Sequence, residues 1–275
     1  MNGLLILFWD IHPELIRVGP FAIRWYGLFF GLAFFVGFYI IRSIFRQEKK
    51  PEQDLDRLVT YTIAGAVIGA RLGHCLFYDP GYYLSQPLEI LMVWRGGLAS
   101  HGGAAGIFFA LFLYTRSRPD QPYLWLLDRV AIPTALGGCF IRIGNFFNSE
   151  IIGTPTGLPW GIEFGRVDSF VRHPAQLYES IGYGLIFVLL FLIYRKQFQD
   201  APRGLFLGTF LVAVFAFRFF IEFVKMRQAA YGHGMPLSVG QLLSIPLVGL
   251  GLLLLFRAWR AAPSRPGTTD HRPQP

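Results

Sequence analysis

The chain has 275 residues, 53% of them hydrophobic, 17% aromatic and only 15% charged, with a net charge of +8. The apolar residues gather in long blocks and the mean hydropathy is positive, which excludes a soluble globular domain and points to a polytopic membrane protein. Only Cys75 and Cys139 are present, both inside apolar blocks, so neither a disulfide framework nor a zinc site is expected, and no basic stripe with interleaved aromatics marks a nucleic-acid partner.

In chain order, residues 1–20 read as an outer amphipathic segment, with 2–19 as an interfacial helix. The apolar run from Leu4 to Trp9 is short, lacks a basic leader and is followed by Asp10 and Glu14, unlike a cleaved signal peptide. Hydropathy then predicts seven spans, at 21–45, 57–78, 98–115, 123–146, 175–194, 204–224 and 239–256. Two pieces between them exceed a turn. Residues 79–97, with Pro80, Gly81, Tyr82, Tyr83 and Trp94, predict an arm at the membrane interface, where aromatic rings prefer to sit. Residues 147–174, with Pro155, Gly157 and Pro159, predict a small irregular cap, and the tail 261–275 is predicted to be disordered. The expected fold is an all-α integral membrane bundle of about seven transmembrane helices, a single domain with an arm and a cap on its outer side.

Basic residues follow spans one, three and five and fill the tail (Arg42, Arg46, Arg116, Arg195, Lys196 and Arg257 among them), and about half as many lie on the other side. The positive-inside rule therefore puts the N-terminus outside and the C-terminus in the cytoplasm. That orientation gives depth to residues that membrane segments normally shed. Tyr26 falls in the first turns of span one, and Arg71 lies about 21 Å up span two at 1.5 Å per residue. His101 opens span three, Arg142 and Asn145 close span four, and Gln176, Tyr178 and Glu179 open span five. Arg218 and Glu222 lie again about 21 Å up span six. An arginine at the centre of a membrane helix costs roughly 2.5 to 3.5 kcal/mol on insertion scales. Clustering of such groups in the outer half predicts one polar chamber open to that side.

Structural explanations compete at each position. Arg218 and Glu222, spaced i, i+4, can neutralise one another along one helix face. Arg71 can pair with a carboxylate to hold helices together, Asp128 and Arg129 can anchor an interface, and Tyr26 beside Trp25 can belong to an aromatic belt. Gly102 and Gly106 form a GxxxG whose purpose is close helix approach. His101 is harder to explain structurally, because an unperturbed pKa near 6.5 suits it to taking a proton near neutral pH.

The densest stretch is Arg142-Ile-Gly-Asn-Phe-Phe-Asn-Ser-Glu-Ile-Ile-Gly153, placing a cation, two amides, a carboxylate and two glycines where an apolar run stops. With Arg24-Trp-Tyr-Gly27, Ala70-Arg-Leu-Gly73, His101-Gly-Gly103, Arg172-His-Pro-Ala-Gln-Leu-Tyr-Glu179, Arg218-Phe219, Glu222-Phe223 and Gly240-Gln-Leu-Leu-Ser244, in that order, it resembles the prolipoprotein diacylglyceryl transferases. These are integral enzymes of the bacterial inner membrane. The resemblance departs at Ile141, where glycine is usual before the signature arginine, and at Val214, where many members carry a tyrosine.

The resemblance implies transfer of the diacylglyceryl group of phosphatidylglycerol to the lipobox cysteine thiol of a prolipoprotein signal peptide, releasing glycerol phosphate. It implies Tyr26, His101, Arg142, Asn145, Glu150, Gly153, Arg218 and Glu222 as functional positions. In that chemistry His101 is the candidate base, and Arg142 and Arg218 hold the departing phosphate, since guanidinium donates bidentately to phosphate and stays charged. Asn145 and Tyr26 can hydrogen-bond the headgroup, Glu150 and Glu222 orient the arginines, and Gly153 permits close backbone approach. No cofactor and no metal are expected. The rival readings are a transporter of an anionic amphiphile using the same Arg, His and Glu cluster, and a lipid-binding scaffold; a transport path should carry polar residues across the whole thickness.

Overall fold

The computed structural model describes residues 7–19, 21–198, 200–227 and 236–261. Most of the predicted disordered tail, residues 262–275, lies outside the described residues, as do the first six positions. The molecule is mostly helical, at 70%, rather than all-α. Its first elements are strands β1 (Leu7–Trp9), β2 (Glu14–Val18) and β3 (Phe21–Arg24). The interfacial helix expected over 2–19 is therefore corrected in its described part. β2 and β3 form an antiparallel hairpin across Gly19, whose φ of +59° is a conformation glycine adopts without a Cβ penalty. β1 instead pairs in parallel with the distant strand β4 (Ile162–Phe164), and β4 pairs with β5 (Val171–Arg172), so long-range ladder bonds outweigh local helical periodicity. Because Phe21–Arg24 is strand, the first long helix begins at Trp25 rather than at 21.

The helices are α1 (Trp25–Gln47), α2 (Glu52–Phe77), a short α3 (Pro80–Ser85), α4 (Ser100–Arg116), α5 (Tyr123–Phe147), α6 (Ala175–Gln197), α7 (Leu205–Ile221) and α8 (Val239–Ala261). Five of them, α1, α5, α6, α7 with its extension to Val224, and α8, are long and apolar enough to cross a membrane. The two remaining expected spans form α2 and α4, which differ for identifiable reasons. α4 has only 17 residues, and α2, though 26 residues long, carries Glu52, Asp54, Asp56, Arg57 and Arg71. A helix of 17 residues rises about 26 Å, the lower edge of what a bilayer core requires.

α2 and α4 run antiparallel with their backbones in close contact. A Cβ on Gly106 would lie 2.1 Å from the Gly65 carbonyl oxygen, and one on Gly102 would lie 2.4 Å from that of Gly69. The GxxxG read from the sequence is thus matched by Gly65, Gly69 and Gly73 on the facing helix, the small-residue contact expected where lipid removes any hydrophobic drive between helices. The five membrane-length helices pack as antiparallel neighbours, α1 on α5, α5 on α6, α6 on α7 and α7 on α8, with α5 also touching α7.

Two apolar clusters bracket the space between them. The larger, built on Phe45, Tyr114, Leu126, Ile132, Leu190, Tyr194 and Phe206, fills the end where α1 stops and α5 begins. The smaller joins Phe146, Ile152, Ile162 and Phe164 with Trp9, tying β1 and the cap onto the last turn of α5. The polar residues at issue lie at this second end.

Candidate active site

The signature stretch begins inside α5 and leaves it by a strained turn. Ser149 and Ile151 have φ of +56° and +57°, left-handed values that cost a residue with a Cβ roughly 1 to 2 kcal/mol each. Surrounding bonds hold the turn: the amides of Ser149 and Glu150 donate to the carbonyls of Phe146 and Asn145 (both 3.0 Å), and Gln176 Nε2 donates to the Glu150 carbonyl at 2.6 Å. The turn brings Glu150 back over the helix end, where Asn145 Nδ2 donates to its Oε2 (3.2 Å) and Asn148 Nδ2 to its Oε1 (3.1 Å).

From Asn145 a chain of polar contacts runs from α5 through α6 to the end of α7 and the segment before α8. Arg142 donates through a terminal nitrogen to Asn145 Oδ1 (3.1 Å) and pairs through Nε with Glu179 Oε2 of α6 (3.1 Å). Glu179 Oε1 accepts from Tyr183 Oη at 3.3 Å and from Lys225 Nζ at 3.4 Å. Lys225 also donates to Glu222 Oε1 at 2.8 Å, and Ser238 Oγ, just before α8, donates to Glu222 Oε2 at 2.8 Å. Arg218 stands 3.9 Å from Glu222 Oε1, an ion pair outside hydrogen-bond range. The side chains of Glu179 and Lys225 are 0% and 4% exposed, whereas that of Arg218 is 32% exposed. Removing one member of a buried pair of this kind typically costs about 3 to 5 kcal/mol, because the other charge is left uncompensated.

The network thus joins Arg142, Asn145, Glu150, Arg218 and Glu222. Tyr26, half-buried in the first turn of α1, lies against Gly144 and within electrostatic reach of Glu150 and Arg142. Gly153 serves the chain's own backbone: a Cβ there would lie 2.5 Å from the His173 carbonyl oxygen and 2.8 Å from that of Val224. Its amide donates to the His173 carbonyl, and it bridges to Lys225, so the signature's last residue seats the segment carrying that lysine. The backbone approach at Gly153 is to residues 173 and 224 of the same chain.

His101 is the exception. It opens α4 at the same end of the molecule, since the start of α4 packs beside the end of α2, but its side chain is exposed. Among the described residues, no hydrogen bond or ion pair joins it to Arg142 or Arg218. Arg71 takes the structural role, with backbone carbonyls in place of the carboxylate considered above. Its guanidinium donates to the carbonyls of Glu89 (2.5 Å), Ile90 (3.0 Å), Gly96 (2.6 Å) and Gly97 (3.2 Å), pinning the segment 79–97.

Sequence reasoning did not single out Lys225 or Tyr183, and it placed Glu179 in the polar chamber without a partner. The i, i+3 spacing of Glu222 and Lys225 was the available signal. Val214, where the resemblance leads one to expect a tyrosine, is buried, and Tyr183 supplies a hydroxyl within electrostatic reach of both Arg142 and Arg218.

A cleft of about 390 Å³ opens beside the network, lined by Thr154, Glu222, Lys225, Met226, Ser238 and Gln241 among others. Arg142, Asn145, Arg218 and His101 do not line it. Beyond it the cap is closed by Arg172, which donates to Asp168 Oδ1 (2.9 Å) and to the Gly153 carbonyl (3.2 Å). The Arg172 hydrogen bond holds the Asp168 carboxyl below the usual carboxylate range. Among the described residues, no group of three or more His, Cys, Asp or Glu side chains is placed to hold a metal ion.

Comparison with known proteins gives this geometry a family. Residues 13–257 match the model of the prolipoprotein diacylglyceryl transferases. A phosphatidylglycerol–prolipoprotein diacylglyceryl transferase of Chloroherpeton thalassium is 56% identical over 95% of this chain and 98% of its own length. Proteins of the same name from Tolumonas auensis and Bacteroides fragilis are 51% and 41% identical, over 91% and 93% of this chain and 97% of each relative. These matches place the chain in the prolipoprotein diacylglyceryl transferase family.

Proposed function

We propose that the protein transfers the diacylglyceryl group of phosphatidylglycerol to the lipobox cysteine of a prolipoprotein signal peptide, the first step of bacterial lipoprotein maturation. The observation that carries this reading is the ion-pair chain linking Arg142 to Arg218 at one end of the bundle, in a chain of this family. Two guanidinium groups suit a lipid phosphate, and one of them, Arg218, is loosely held and partly exposed.

The chemistry is a displacement at saturated carbon. The thiol proton passes to a base, with His101 as the candidate. The sulfur then bonds to the glyceryl carbon as its carbon–oxygen bond to phosphate breaks, and the electron pair leaves on the phosphate oxygen as glycerol phosphate. A free thiol of pKa about 8.5 is only a few per cent thiolate near pH 7, so a base matters. Arg142 and Arg218 neutralise charge growing on the leaving oxygen, and preorganised donors in a water-poor site count for more than in water. Asn145 and Tyr26 address the glycerol headgroup, Glu179 orients Arg142 and Glu150 orients Asn145, while Glu222 is held by Lys225 and Ser238.

In this reading α2 and α4 also cross the membrane, giving seven spans. Ile63, Val67, Ile68 and Leu76 on α2 and Phe108, Phe109 and Leu113 on α4 are exposed, as lipid-facing side chains would be. The protein resides in the bacterial inner membrane, with the N-terminus, arm and cap periplasmic and the C-terminus cytoplasmic. The transporter alternative requires a polar path to the far end, where charges are instead paired off around a packed core.

The test is reconstitution of purified protein with phosphatidylglycerol and a lipobox peptide. A peptide cysteine that gains a diacylglyceryl thioether, with glycerol phosphate released in equal amount, is the expected result. Unmodified peptide alongside uptake of the lipid or peptide into sealed vesicles would favour the transporter.

A further inference from the structure

The loosest member of the ion-pair chain is Arg218, and the structure gives a reason. Glu222 lies one turn beyond it on the same helix face, where an i, i+4 arginine and glutamate would ordinarily close on one another. They do not close here. Glu222 Oε1 is taken by Lys225 Nζ at 2.8 Å and Oε2 by Ser238 Oγ at 2.8 Å, while Arg218 stays 3.9 Å away. The carboxylate is also confined from the other side, since a Cβ on Gly240 would lie 2.5 Å from its carbon.

Building on the transferase reading, we propose that Lys225 is a positioning residue that keeps the Glu222 carboxylate off Arg218, leaving an edge of that guanidinium open for the phosphate of the donor lipid. Lysine suits the task because its ammonium is a compact charge with three donors, able to serve Glu222 and Glu179 together. Its backbone is fixed by the bridge to Gly153, so the signature glycine acts on the phosphate site through Lys225. Without the lysine, Glu222 captures Arg218, and the lipid phosphate must compete with a carboxylate already in place.

The experiment measures affinity of the full chain in detergent for short-chain phosphatidylglycerol and phosphatidylcholine, alongside transfer kinetics. Lys225→Met should weaken phosphatidylglycerol binding and raise its KM about tenfold, leaving kcat and the peptide KM within about threefold. Lys225→Arg should retain most of the affinity. Glu222→Gln added to Lys225→Met should recover several-fold of the lost affinity, because no carboxylate remains to capture Arg218; the thermal midpoint falls in Lys225→Met on either reading, and a lysine that only stabilised the fold would leave phosphatidylglycerol affinity per folded molecule unchanged. If Lys225→Met does not fold, Lys225→Gln carries the same comparison. Unchanged affinity in the lysine variants, or a double variant no better than Lys225→Met, overturns the proposal. The lipid-binding measurement needs no turnover: a wild type that binds selectively but transfers nothing would sink the transferase reading and leave the role of Lys225 to be decided by affinity.

Discussion

The two ends of the bundle both bury charge, and they do it differently. At the end where α1 stops, Arg129 makes a two-pronged contact with Glu48 (2.9 and 3.1 Å), whose Oε2 also accepts from Trp125. Asp54 accepts from Arg118 and Gln121 at 2.6 and 2.7 Å, and Asp128 caps the start of α7 through the amides of Gly204 and Leu207. Along the ion-pair chain at the signature end the contacts run from 2.8 to 3.9 Å, one cation is a third exposed, and a cleft lies beside Glu222 and Lys225. Tightly closed networks fasten helices, whereas slack beside open space leaves groups free to meet a substrate.

Breaking the same kind of contact at each end should separate these roles. Arg142→Ala should lower the transfer rate by about two to three orders of magnitude, the effect of losing a preorganised donor to a developing oxyanion, with the protein still folded by circular dichroism. A full rate in the folded variant would remove Arg142 from the chemistry. His101→Gln should cost about 10² in rate and recover as pH rises toward the thiol pKa; normal activity at neutral pH would reject His101 as base. At the far end Arg129→Ala leaves Glu48 unpaired, so it should cost about 3 to 5 kcal/mol in stability. Rate per folded molecule should not change, and a selective fall in kcat there would blur the contrast between the ends.

The smallest effect concerns the cap. Asp168 has its pKa depressed by the hydrogen bond from Arg172, so the pair stabilises the cap above the ordinary aspartate value of about 3.9. That contribution is lost as pH falls through the lower folded value. Protection factors of amides across residues 153–173 should fall in that acidic window, and Asp168→Asn should lower them at neutral pH and remove the further fall in acid.

Much of the site was legible because membrane segments make polar residues conspicuous: spacing alone put Arg142, Asn145, Arg218 and Glu222 near one end, and the network joins them. The Gly102 and Gly106 contact was likewise readable from small residues at helical spacing. Lys225 was not, because a lysine just past an apolar run looks like a solvated loop charge until the fold brings Glu179 to it from α6. The N-terminal strands were hidden for a related reason. β1 owes its form to β4, more than 150 residues away, and no local pattern in Leu7–Trp9 records that partner. A structural role for Arg71 was one of two readings, with a carboxylate as its partner, but its acceptors are carbonyls of an irregular segment, which hydropathy does not reveal.

The most direct test is to locate the phosphorus of phosphatidylglycerol bound to the full chain by cryo-electron microscopy. The account predicts phosphate oxygens about 3 Å from nitrogens of both Arg142 and Arg218. A headgroup seated beside Arg118 and Arg129, or touching neither Arg142 nor Arg218, would contradict it.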